Sequence, residues 1–325
     1  MAVYTEITDE EVQGFAREYD IGRVIACKGI AEGIENSNYL LVTEQGPFIL
    51  TLYERRVRRD DLPFFIGLME HLAQRGIPCP VPVRGRDGES LRHLAGRCAA
   101  IVTFLRGMWP KRPQPAHCQA LGEALARLHL GGADFPMQRR NDLSVGGWRP
   151  LYEASAPHAG AVAPDLAAEL TSELTILERR WPQHLPQGVI HADLFPDNVF
   201  FEGTQLSGLI DFYFACNDFL AYDIAVCVNA WCFENDGSFN ITKARRLVSG
   251  YSAVRPLSPE ELRLLPLLAR GAAMRFLLTR LYDWLNTPKN ALVTPKNPME
   301  YLQKLRFHRG ARGLGAYGLD ALDAA

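Results

Sequence analysis

Three polar residues in the middle of the chain, Asp193, Asn198 and Asp211, have the types and the order that phosphoryl transfer requires. In such a reaction one carboxylate orients the acceptor hydroxyl and takes its proton, while an amide oxygen and a second carboxylate hold Mg²⁺ on the phosphates. Asp193 fits the first task, and Asn198 and Asp211 fit the second. The sequence therefore predicts a magnesium-dependent transfer of a phosphoryl group to a hydroxyl.

The spacing of these residues is more specific than their types. Segment 191–198 reads HADLFPDN and Asp211 is followed by Phe212, which matches the kinase pattern H-x-D-L-x-x-x-N with a later D-F. The apolar run 206–210 leads directly to Asp211, so we expect two adjacent strands that bring Asn198 and Asp211 to one hard cation. A plain polar turn explains the loop but not the second Asp at the end of the next strand.

Two further residues near this pattern are expected to support the loop. We interpret His191 as a hydrogen-bonding residue that shapes the loop rather than as a base. Asp223 falls at the start of a predicted helix, where an N-terminal or loop-bracing role is favoured. Neither residue is therefore expected to take the proton of the acceptor.

Composition excludes several classes of protein. The chain has 325 residues, 47% of them hydrophobic, and a net charge of -2, which suits a globular protein and gives no attraction to nucleic acid or anionic membranes. Its seven cysteines are odd in number and lack C-x-x-C pairs, which indicates reduced thiols rather than disulfides or zinc sites. The longest apolar stretch, 262–281, contains four arginines, and the N-terminus is polar and acidic. We therefore expect a cytoplasmic enzyme that binds neither nucleic acid nor membranes.

Hydrophobic periodicity divides the chain into a part with strands and a part that is mainly helical. The second part also contains a small β insert that carries the predicted catalytic residues. This order is typical of an α+β fold with two lobes. The predicted strands are 23–29, 38–43, 48–53, 99–104, 189–190, 199–201 and 206–210, and the predicted helices are 9–19, 62–76, 117–130, 161–181, 219–233, 242–251, 259–285 and 299–307.

Four segments follow from this pattern. We expect residues 1–104 to form an N-terminal nucleotide-binding lobe and residues 116–309 to form a C-terminal catalytic and substrate lobe. Residues 105–115 are rich in Gly and Pro and have the composition of a hinge or linker. Residues 310–325 are rich in Gly and Ala and are expected to form a frayed, flexible tail.

Several segments besides the catalytic loop resemble one known family. The chain resembles the aminoglycoside phosphotransferase-like small-molecule kinases, which are relatives of the protein kinases, and it most closely resembles their homoserine kinase branch. The catalytic loop identifies only the superfamily, whereas the aromatic run after Asp211 points to the branch. The segments that carry the resemblance are 35–39, 49–54, 61–65, 191–201, 209–218, 229–233 and 275–284.

The resemblance covers residues 1–309 and implies a bilobal protein-kinase-like fold. It also implies the reaction, which is ATP-dependent phosphorylation of L-homoserine in threonine biosynthesis, with Mg²⁺ and no other cofactor. On this reading Asp193 orients the hydroxyl and accepts its proton, and Asn198 and Asp211 bind the metal.

The resemblance places the ATP site in the N-terminal lobe. Backbone N–H groups of the loop 29–38 are expected to cradle the phosphates. Extended backbone after the last strand is expected to meet adenine, between apolar walls. The expected ATP-binding residues are Gly29, Gly33, Asn36, Ser37, Asn38, Ile49, Thr51, Ile101, Thr103, Phe104 and Leu105.

One position departs from the family. Related kinases have Lys or Arg on the third strand to neutralise the phosphates, and this chain has Thr51 there. Arg55 continues the face of Thr51 along the strand and Lys28 lies on the first strand, so either is a candidate for the missing charge. Glu70 is the natural candidate for the acidic partner on the next helix, although a surface Glu is an equal alternative.

The acceptor that the resemblance implies carries a carboxylate, an ammonium group and a hydroxyl. Such a substrate calls for an Arg and for an acidic or aromatic side chain. Arg275 and Arg280 lie in an otherwise apolar helix, where a charge must be paired or functional. An intrahelical pair between Arg280 and Asp283 is the alternative. The expected acceptor residues are Tyr213, Asp218, Asn229, Arg275 and Arg280.

Three alternatives remain open at this point. A kinase of choline, ethanolamine or an aminoglycoside would keep the same loop, but the two arginines favour an acceptor with a carboxylate. A protein kinase is disfavoured because no A-P-E segment follows Asp211. A non-catalytic kinase-like regulatory module is supported by Thr51 and opposed by the complete set of Asp193, Asn198 and Asp211.

Overall fold

The computed structural model describes residues 5–30, 36–54, 57–287 and 294–320. The chain folds into two compact units. The first unit consists of Met1–Gly107 with Ser207–Tyr213, and the second consists of Met108–Leu206 with Phe214–Ala325.

The short segment Ser207–Tyr213 belongs to the first unit, although the sequence pattern assigned it to the C-terminal lobe. Two hydrogen bonds explain the difference. The N–H of Leu209 donates to the carbonyl of Pro78 (2.8 Å), and the hydroxyl of Ser207 donates to the carbonyl of Arg106 (2.8 Å). Neither contact is visible in a linear pattern, because the partners are more than 100 residues apart.

The first unit is built around a five-stranded antiparallel sheet with the strand order β1-β2-β3-β5-β4. Thr8 caps the N-terminus of helix α1. Its side chain accepts a hydrogen bond from the N–H of Glu11, and the carboxylate of Glu11 accepts one from the N–H of Thr8. The buried face of α1 packs on one side of the sheet. The elements are α1 (Asp9–Ala16), β1 (Val24–Gly29), β2 (Ser37–Thr43), β3 (Gly46–Tyr53), α2 (Leu62–Gln74), β4 (Arg92–Leu94) and β5 (Arg97–Thr103).

The second unit is mainly helical, and the short strands of this part of the chain pair two by two, β6 with β9 and β7 with β8. Within the described part of the chain, no helix combines the length and the apolar composition that a membrane crossing requires. Between residues 115 and 310 the elements are α3 (Pro115–Gly131), α4 (Val145–Ser155), α5 (Leu166–Arg180), β6 (Gln187–Ile190), β7 (Val199–Glu202), β8 (Gln205–Leu209), β9 (Cys216–Phe219), α6 (Leu220–Trp231), α7 (Ile241–Val254), α8 (Pro259–Asn286) and α9 (Met299–Gly310), and residues 207–209 of β8 belong to the first unit.

Helix α4 was not predicted, because Gly146, Gly147 and Pro150 are weak helix formers. Tertiary packing stabilises it instead. Trp148 is fully buried and donates from Nε1 to the carbonyl of Leu143 (2.7 Å). Gly271 on α8 makes room for this indole and for that of Trp181, since a Cβ there would lie 2.2 Å from the Trp181 ring and 2.8 Å from the Trp148 ring.

Helices α3 and α7 lie unusually close because each presents a glycine to the backbone of the other. A Cβ at Gly122 would lie 2.0 Å from the carbonyl oxygen of Leu247, and a Cβ at Gly250 would lie 2.4 Å from that of Gln119. No side chain fits at such distances. The approach places His129 of α3 beside Tyr251 of α7, with ring centroids 5.6 Å apart.

We expect Gly122→Ala to lower the free energy of unfolding by about 2 kcal/mol, because the new methyl group must force two backbones apart. Gly14→Ala is the matched control, since nothing lies within 4 Å of a Cβ at Gly14 in α1. That change should stabilise by about 0.5 kcal/mol through the unfolded state. Denaturant unfolding of the two variants measures both, and equal stabilities would contradict the close approach.

The segment after α9 differs from the frayed tail that its composition predicted. Leu314, Tyr317 and Leu319 are buried, and the Tyr317 hydroxyl lies 2.8 Å from Nδ1 of His308. The turn at Gly318 has φ of 69°, which a glycine adopts without strain. Residues 311–320 are therefore part of the second unit, and the remainder of the predicted tail, 321–325, lies outside the described residues.

Candidate active site

The predicted catalytic loop follows β6 and is turned by Ala192, a non-glycine residue with φ of 64°. Asp193 comes next and is half-buried. The amide nitrogen of Asn198 donates to the carbonyl of Asp193 (2.8 Å) and lies 3.3 Å from its carboxylate. Because the nitrogen of Asn198 is used in this way, its amide oxygen is the atom that remains for a cation.

Asp223 on α6 holds the backbone of this loop. Its two carboxylate oxygens accept hydrogen bonds from the N–H groups of His191 (2.7 Å) and Ala192 (2.9 Å), and the carboxylate is fully buried. Burial acts to raise the pKa of Asp223, but the hydrogen bonds that it accepts from His129 and from the backbone of the loop outweigh burial and leave the pKa below its ordinary value. The loop-bracing role expected for Asp223 is therefore confirmed.

Two more side chains hold the loop by donating hydrogen bonds to its backbone carbonyl groups. The guanidinium of Arg275 donates to the carbonyl of Ala192, and Nε1 of Trp231 donates to the carbonyl of Leu194 (2.7 Å). Arg275 is buried, with its guanidinium 4.3 Å from the ring centroid of Phe276. The structure thus places this predicted acceptor residue against the backbone beside Asp193. His191 itself is fully buried.

Asp211 lies in the first unit, two residues after β8, and has φ of 65°. A left-handed conformation is uncommon for any residue other than Gly, although Asp tolerates it better than most, and it is frequent at functional sites. Among the described residues, no group of three or more His, Cys, Asp or Glu side chains is arranged as a metal site. The predicted donors are the amide oxygen of Asn198 in the second unit and the carboxylate of Asp211 in the first, and each is an oxygen ligand of the kind that Mg²⁺ prefers.

The register of the sheet corrects one expected wall of the ATP site. Leu50 pairs with Ile101, and both belong to the core under α1, whereas Ile49 pairs with Val102 on the opposite face. Side chains alternate along a strand, so Ile49 and Ile101 do not line the same surface. The expectation for Ile101 is therefore wrong, and the residue that pairs with Ile49 on its own face is Val102.

Thr51 shares the face of Ile49 and is buried. Its hydroxyl donates to Oδ1 of Asn38 (2.8 Å), which is its partner across β2 and β3. Lys28 on β1 is exposed and pairs with Leu40, so it lies on the same face as Thr51. Arg55, the other candidate for the missing charge, lies outside the described residues.

Glu70, the expected acidic partner, forms an ion pair with Arg84 (2.8 Å) within the first unit. The pair is partly exposed, which corresponds to the surface alternative for this residue. Thr51 has no charge to offer Glu70, and Glu70 pairs with Arg84 instead. The Lys–Glu pair expected in related kinases is therefore absent at these two positions.

The remaining expected ATP-binding residues occupy varied surroundings. Ser37 lies on the core face opposite Thr51 and donates from its hydroxyl to Glu54 (2.7 Å), and Asn36 accepts from the N–H of Glu54 (3.2 Å). Thr103 accepts from the N–H of Val81 (2.9 Å). Gly29 ends β1, Phe104 is exposed and Leu105 is half-buried, whereas Gly33 lies outside the described residues.

A cluster of charges lies between α8 and α9, in which Arg280 and Lys304 are buried and Glu300 is about half exposed. Arg280 donates to Oε2 of Glu300 (2.6 Å), and Lys304 donates to Oε1 of the same carboxylate (2.8 Å). Both cations also lie 4.4 Å from the ring centroid of Tyr301. Burial raises the pKa of the Tyr301 phenol, and the charges of Arg280, Glu300 and Asp193 also act on it. Two buried cations therefore share the one carboxylate of Glu300.

The other expected acceptor residues are spread over both units. Asp218 accepts hydrogen bonds from Asn141 (2.7 Å) and from the N–H of Phe219 (2.7 Å). Tyr213 lies in the first unit, with its ring centroid 5.3 Å from that of Tyr53, and burial raises its pKa to about 12. Both residues are half-buried.

Asn229 is fully buried in the second unit, and its side chain is used by the helices around it. Its amide nitrogen donates to the carbonyls of Ala225 (3.0 Å) and Ala269 (2.8 Å), and its amide oxygen lies 3.1 Å from Nε2 of His308. These contacts account for the donors of the amide. The structure therefore gives Asn229 a packing role, in contrast to the acceptor contact that was expected.

Comparison with known proteins agrees with this arrangement. Residues 26–257 match the model of the phosphotransferase enzyme family (APH). The chain is 67% identical to a homoserine kinase of Rhodospirillum rubrum over 98% of this chain and 99% of the relative, and 62% identical to a homoserine kinase of Paramagnetospirillum magneticum over 98% and 100%. Among solved structures, an amicoumacin kinase in complex with AMP-PNP superposes with a TM-score of 0.69 at 16% identity, covering 93% of this chain and 92% of that chain. A microcompartment-associated aminopropanol kinase gives 0.69 at 16% identity, covering 98% and 99%, and these two likenesses concern the fold alone.

Proposed function

We propose that this chain, which belongs to the phosphotransferase enzyme family, transfers the γ-phosphoryl group of ATP to the hydroxyl of L-homoserine. The main support is the identity of 60–67% over nearly the whole chain to relatives named homoserine kinase. The braced loop that carries Asp193 is the structural support. A consequence is that the chain supplies phosphohomoserine for threonine biosynthesis.

In this proposal Asp193 orients the homoserine hydroxyl and accepts its proton as the phosphoryl group moves. Asn198 and Asp211 are the proposed ligands of Mg²⁺, which when bound supplies positive charge to the phosphate oxygens. The loop contributes mainly position. Its backbone is fixed by Asp223 and Arg275, so the carboxylate of Asp193 does not have to be ordered during the reaction.

The cluster around Tyr301 is the proposed site for the carboxylate of homoserine. Arg280 and Lys304 share the carboxylate of Glu300, so the three side chains together carry a net charge of +1. Arg280 and Lys304 are buried, where charge is costly to leave unmatched, while Glu300 is about half exposed; a second carboxylate would balance the remaining charge. Arg280 is the proposed contact, because a planar guanidinium suits a carboxylate. Asp218 is the proposed partner for the ammonium group.

We expect L-homoserine, among a panel with choline, ethanolamine, L-serine and kanamycin, to give the highest kcat/KM in a coupled ADP-release assay. Of these compounds, only L-homoserine combines a carboxylate and an ammonium group with a hydroxyl at the end of a two-carbon side chain. L-Serine is one carbon shorter, and the other three have no carboxylate. Turnover on another alcohol but not on L-homoserine would refute the proposed acceptor and keep the phosphotransferase. No turnover on any of them would favour the non-catalytic alternative.

A matched pair of acceptors tests the role of Arg280 within the same assay. 3-Amino-1-propanol is homoserine without its carboxylate, so Arg280→Met should raise KM for L-homoserine about tenfold or more while leaving the slower turnover of 3-amino-1-propanol unchanged. Equal effects on both acceptors would show that Arg280 supports the fold and does not contact the carboxylate.

A further inference from the structure

A chain of buried hydrogen bonds continues outward from Asp223, within the second unit. Nε2 of His129 on α3 lies 3.2 Å from Oδ2 of Asp223, and Nδ1 of the same ring lies 2.8 Å from the hydroxyl of Tyr251 on α7. The Tyr251 oxygen accepts from Nη1 of Arg255 (3.2 Å), which also donates to Oε1 of Glu261 (3.0 Å). This series of hydrogen bonds thus joins the start of α8 to the backbone of the catalytic loop.

Only one arrangement of protons satisfies all the hydrogen bonds in this series. The low pKa of Asp223 leaves its carboxylate ionised and without a proton to give, so Nε2 of His129 must be the donor. In a neutral ring Nδ1 is then an acceptor, and the Tyr251 hydroxyl must donate to it. Arg255 enforces this direction, because a guanidinium only donates and so must use a lone pair of the Tyr251 oxygen.

The opposite arrangement is disfavoured. If Nδ1 of His129 carried a proton, the Tyr251 oxygen would accept from both His129 and Arg255, and its own proton would need another acceptor. Tyr251 is fully buried, and burial raises the pKa of its phenol, so the hydroxyl keeps that proton. The outer groups are also anchored, since Glu261 closes a capping box with Ser258 at the start of α8.

We propose that Tyr251, oriented by Arg255 and Glu261, is a positioning residue that holds the His129 ring in the plane from which Nε2 supports Asp223. This inference rests on the phosphoryl transfer proposed above. Asp223 shares Oδ2 between His129 and the N–H of His191, so a shift of the imidazole moves the acceptor of the catalytic loop. Tyr251 therefore acts on Asp193 through two intervening side chains and contacts no substrate.

Tyr251→Phe should lower kcat about tenfold and leave KM for ATP and for the acceptor unchanged, as expected for an outer partner of a catalytic group. Tyr317→Phe is the matched control. It removes a Tyr–His hydrogen bond of the same length, 2.8 Å to Nδ1 of His308, from a ring that does not contact Asp223. Its kcat should stay at the wild-type value, while both variants lose similar stability in thermal unfolding.

A double-mutant cycle shows whether Tyr251 acts through His129. Glutamine at position 129 keeps a donor near the position of Nε2 but lacks the Nδ1 acceptor. His129→Gln should therefore lower kcat by itself, and Tyr251→Phe should add nothing in that background. The ring nitrogens of His129, observed by ¹⁵N NMR in the wild type, should show one protonated Nε2 and one hydrogen-bonded Nδ1.

Three results would overturn the inference: equal kcat losses in Tyr251→Phe and Tyr317→Phe, additive losses in the double variant, or a change confined to KM. Failure of the proposed acceptor is a separate outcome. If the wild-type chain does not phosphorylate L-homoserine but releases ADP with another alcohol or with water as acceptor, the same variants are compared on that rate.

Discussion

Asp193→Asn should lower kcat for ADP release about 10³-fold, which corresponds to roughly 4 kcal/mol of transition-state stabilisation. Asparagine keeps the size of the side chain and the hydrogen bond to Asn198, but it does not accept the proton of the acceptor hydroxyl. KM for ATP should stay within a few-fold, because Asp193 is not a proposed ligand of the nucleotide. The measurement is steady-state turnover at saturating Mg-ATP and L-homoserine.

The catalytic loop itself supplies the control for this variant. Asp197 lies four residues further on, is largely exposed, and has the Lys296 ammonium 3.9 Å away. Asp197→Asn is the same chemical change in the same loop, so it separates loss of the base from a general disturbance of the loop. It should leave kcat almost unchanged. Turnover above a tenth of the wild-type rate in Asp193→Asn would mean that another group takes the proton.

Local sequence patterns correctly predicted those helices and strands that are determined by residues close to one another in the sequence. The helix predicted over 259–285 is observed as Pro259–Asn286, and the one over 62–76 as Leu62–Gln74. The strand predicted over 206–210 is observed as Gln205–Leu209, directly before Asp211. In each case amphipathic or apolar spacing and a turn or cap lie within a few residues of one another, so no distant contact is needed.

The features that local patterns do not predict depend on contacts between residues that are distant in sequence. Ile101 was assigned to the wrong face, because the face is set by its pairing with Leu50 and that register is not local. Arg275 donates to Ala192, which is 83 residues earlier in the chain. A charge in an apolar helix predicts a partner, but it does not say which one.

His129 was missed, although the sequence contained a signal for it. In the predicted helix 117–130 it falls in phase with the buried residues Leu121 and Leu125, where a polar side chain requires a partner. That reasoning would have identified a buried histidine. It would not have found Tyr251, because the close approach of α3 and α7 depends on a glycine in each helix.

Asp223→Asn should have the largest combined effect on stability and activity, because one carboxylate serves three donors. The N–H groups of His191 and Ala192 and Nε2 of His129 converge on its two oxygens. An amide has only one oxygen, so at least one buried donor must face the new NH₂ group. We expect the free energy of unfolding to fall by about 3 kcal/mol and kcat to fall about 10²-fold.

The pH dependence of the free energy of unfolding distinguishes the loss of the Asp223 carboxylate from the effect of a substitution elsewhere in the core. Since the pKa of Asp223 is lower in the folded chain than its ordinary value of 3.8, its contribution is fully present above about pH 4 and is lost as the pH falls through the folded pKa. The difference in unfolding free energy between the wild type and Asp223→Asn should therefore be constant from pH 7 to about pH 5 and shrink below pH 4. Asp236→Asn is the control, because this exposed residue caps a turn at Ser238 that asparagine also forms, so stability at neutral pH should be little changed. A wild-type stability and kcat in Asp223→Asn would mean that the loop is held mainly by Arg275 and Trp231.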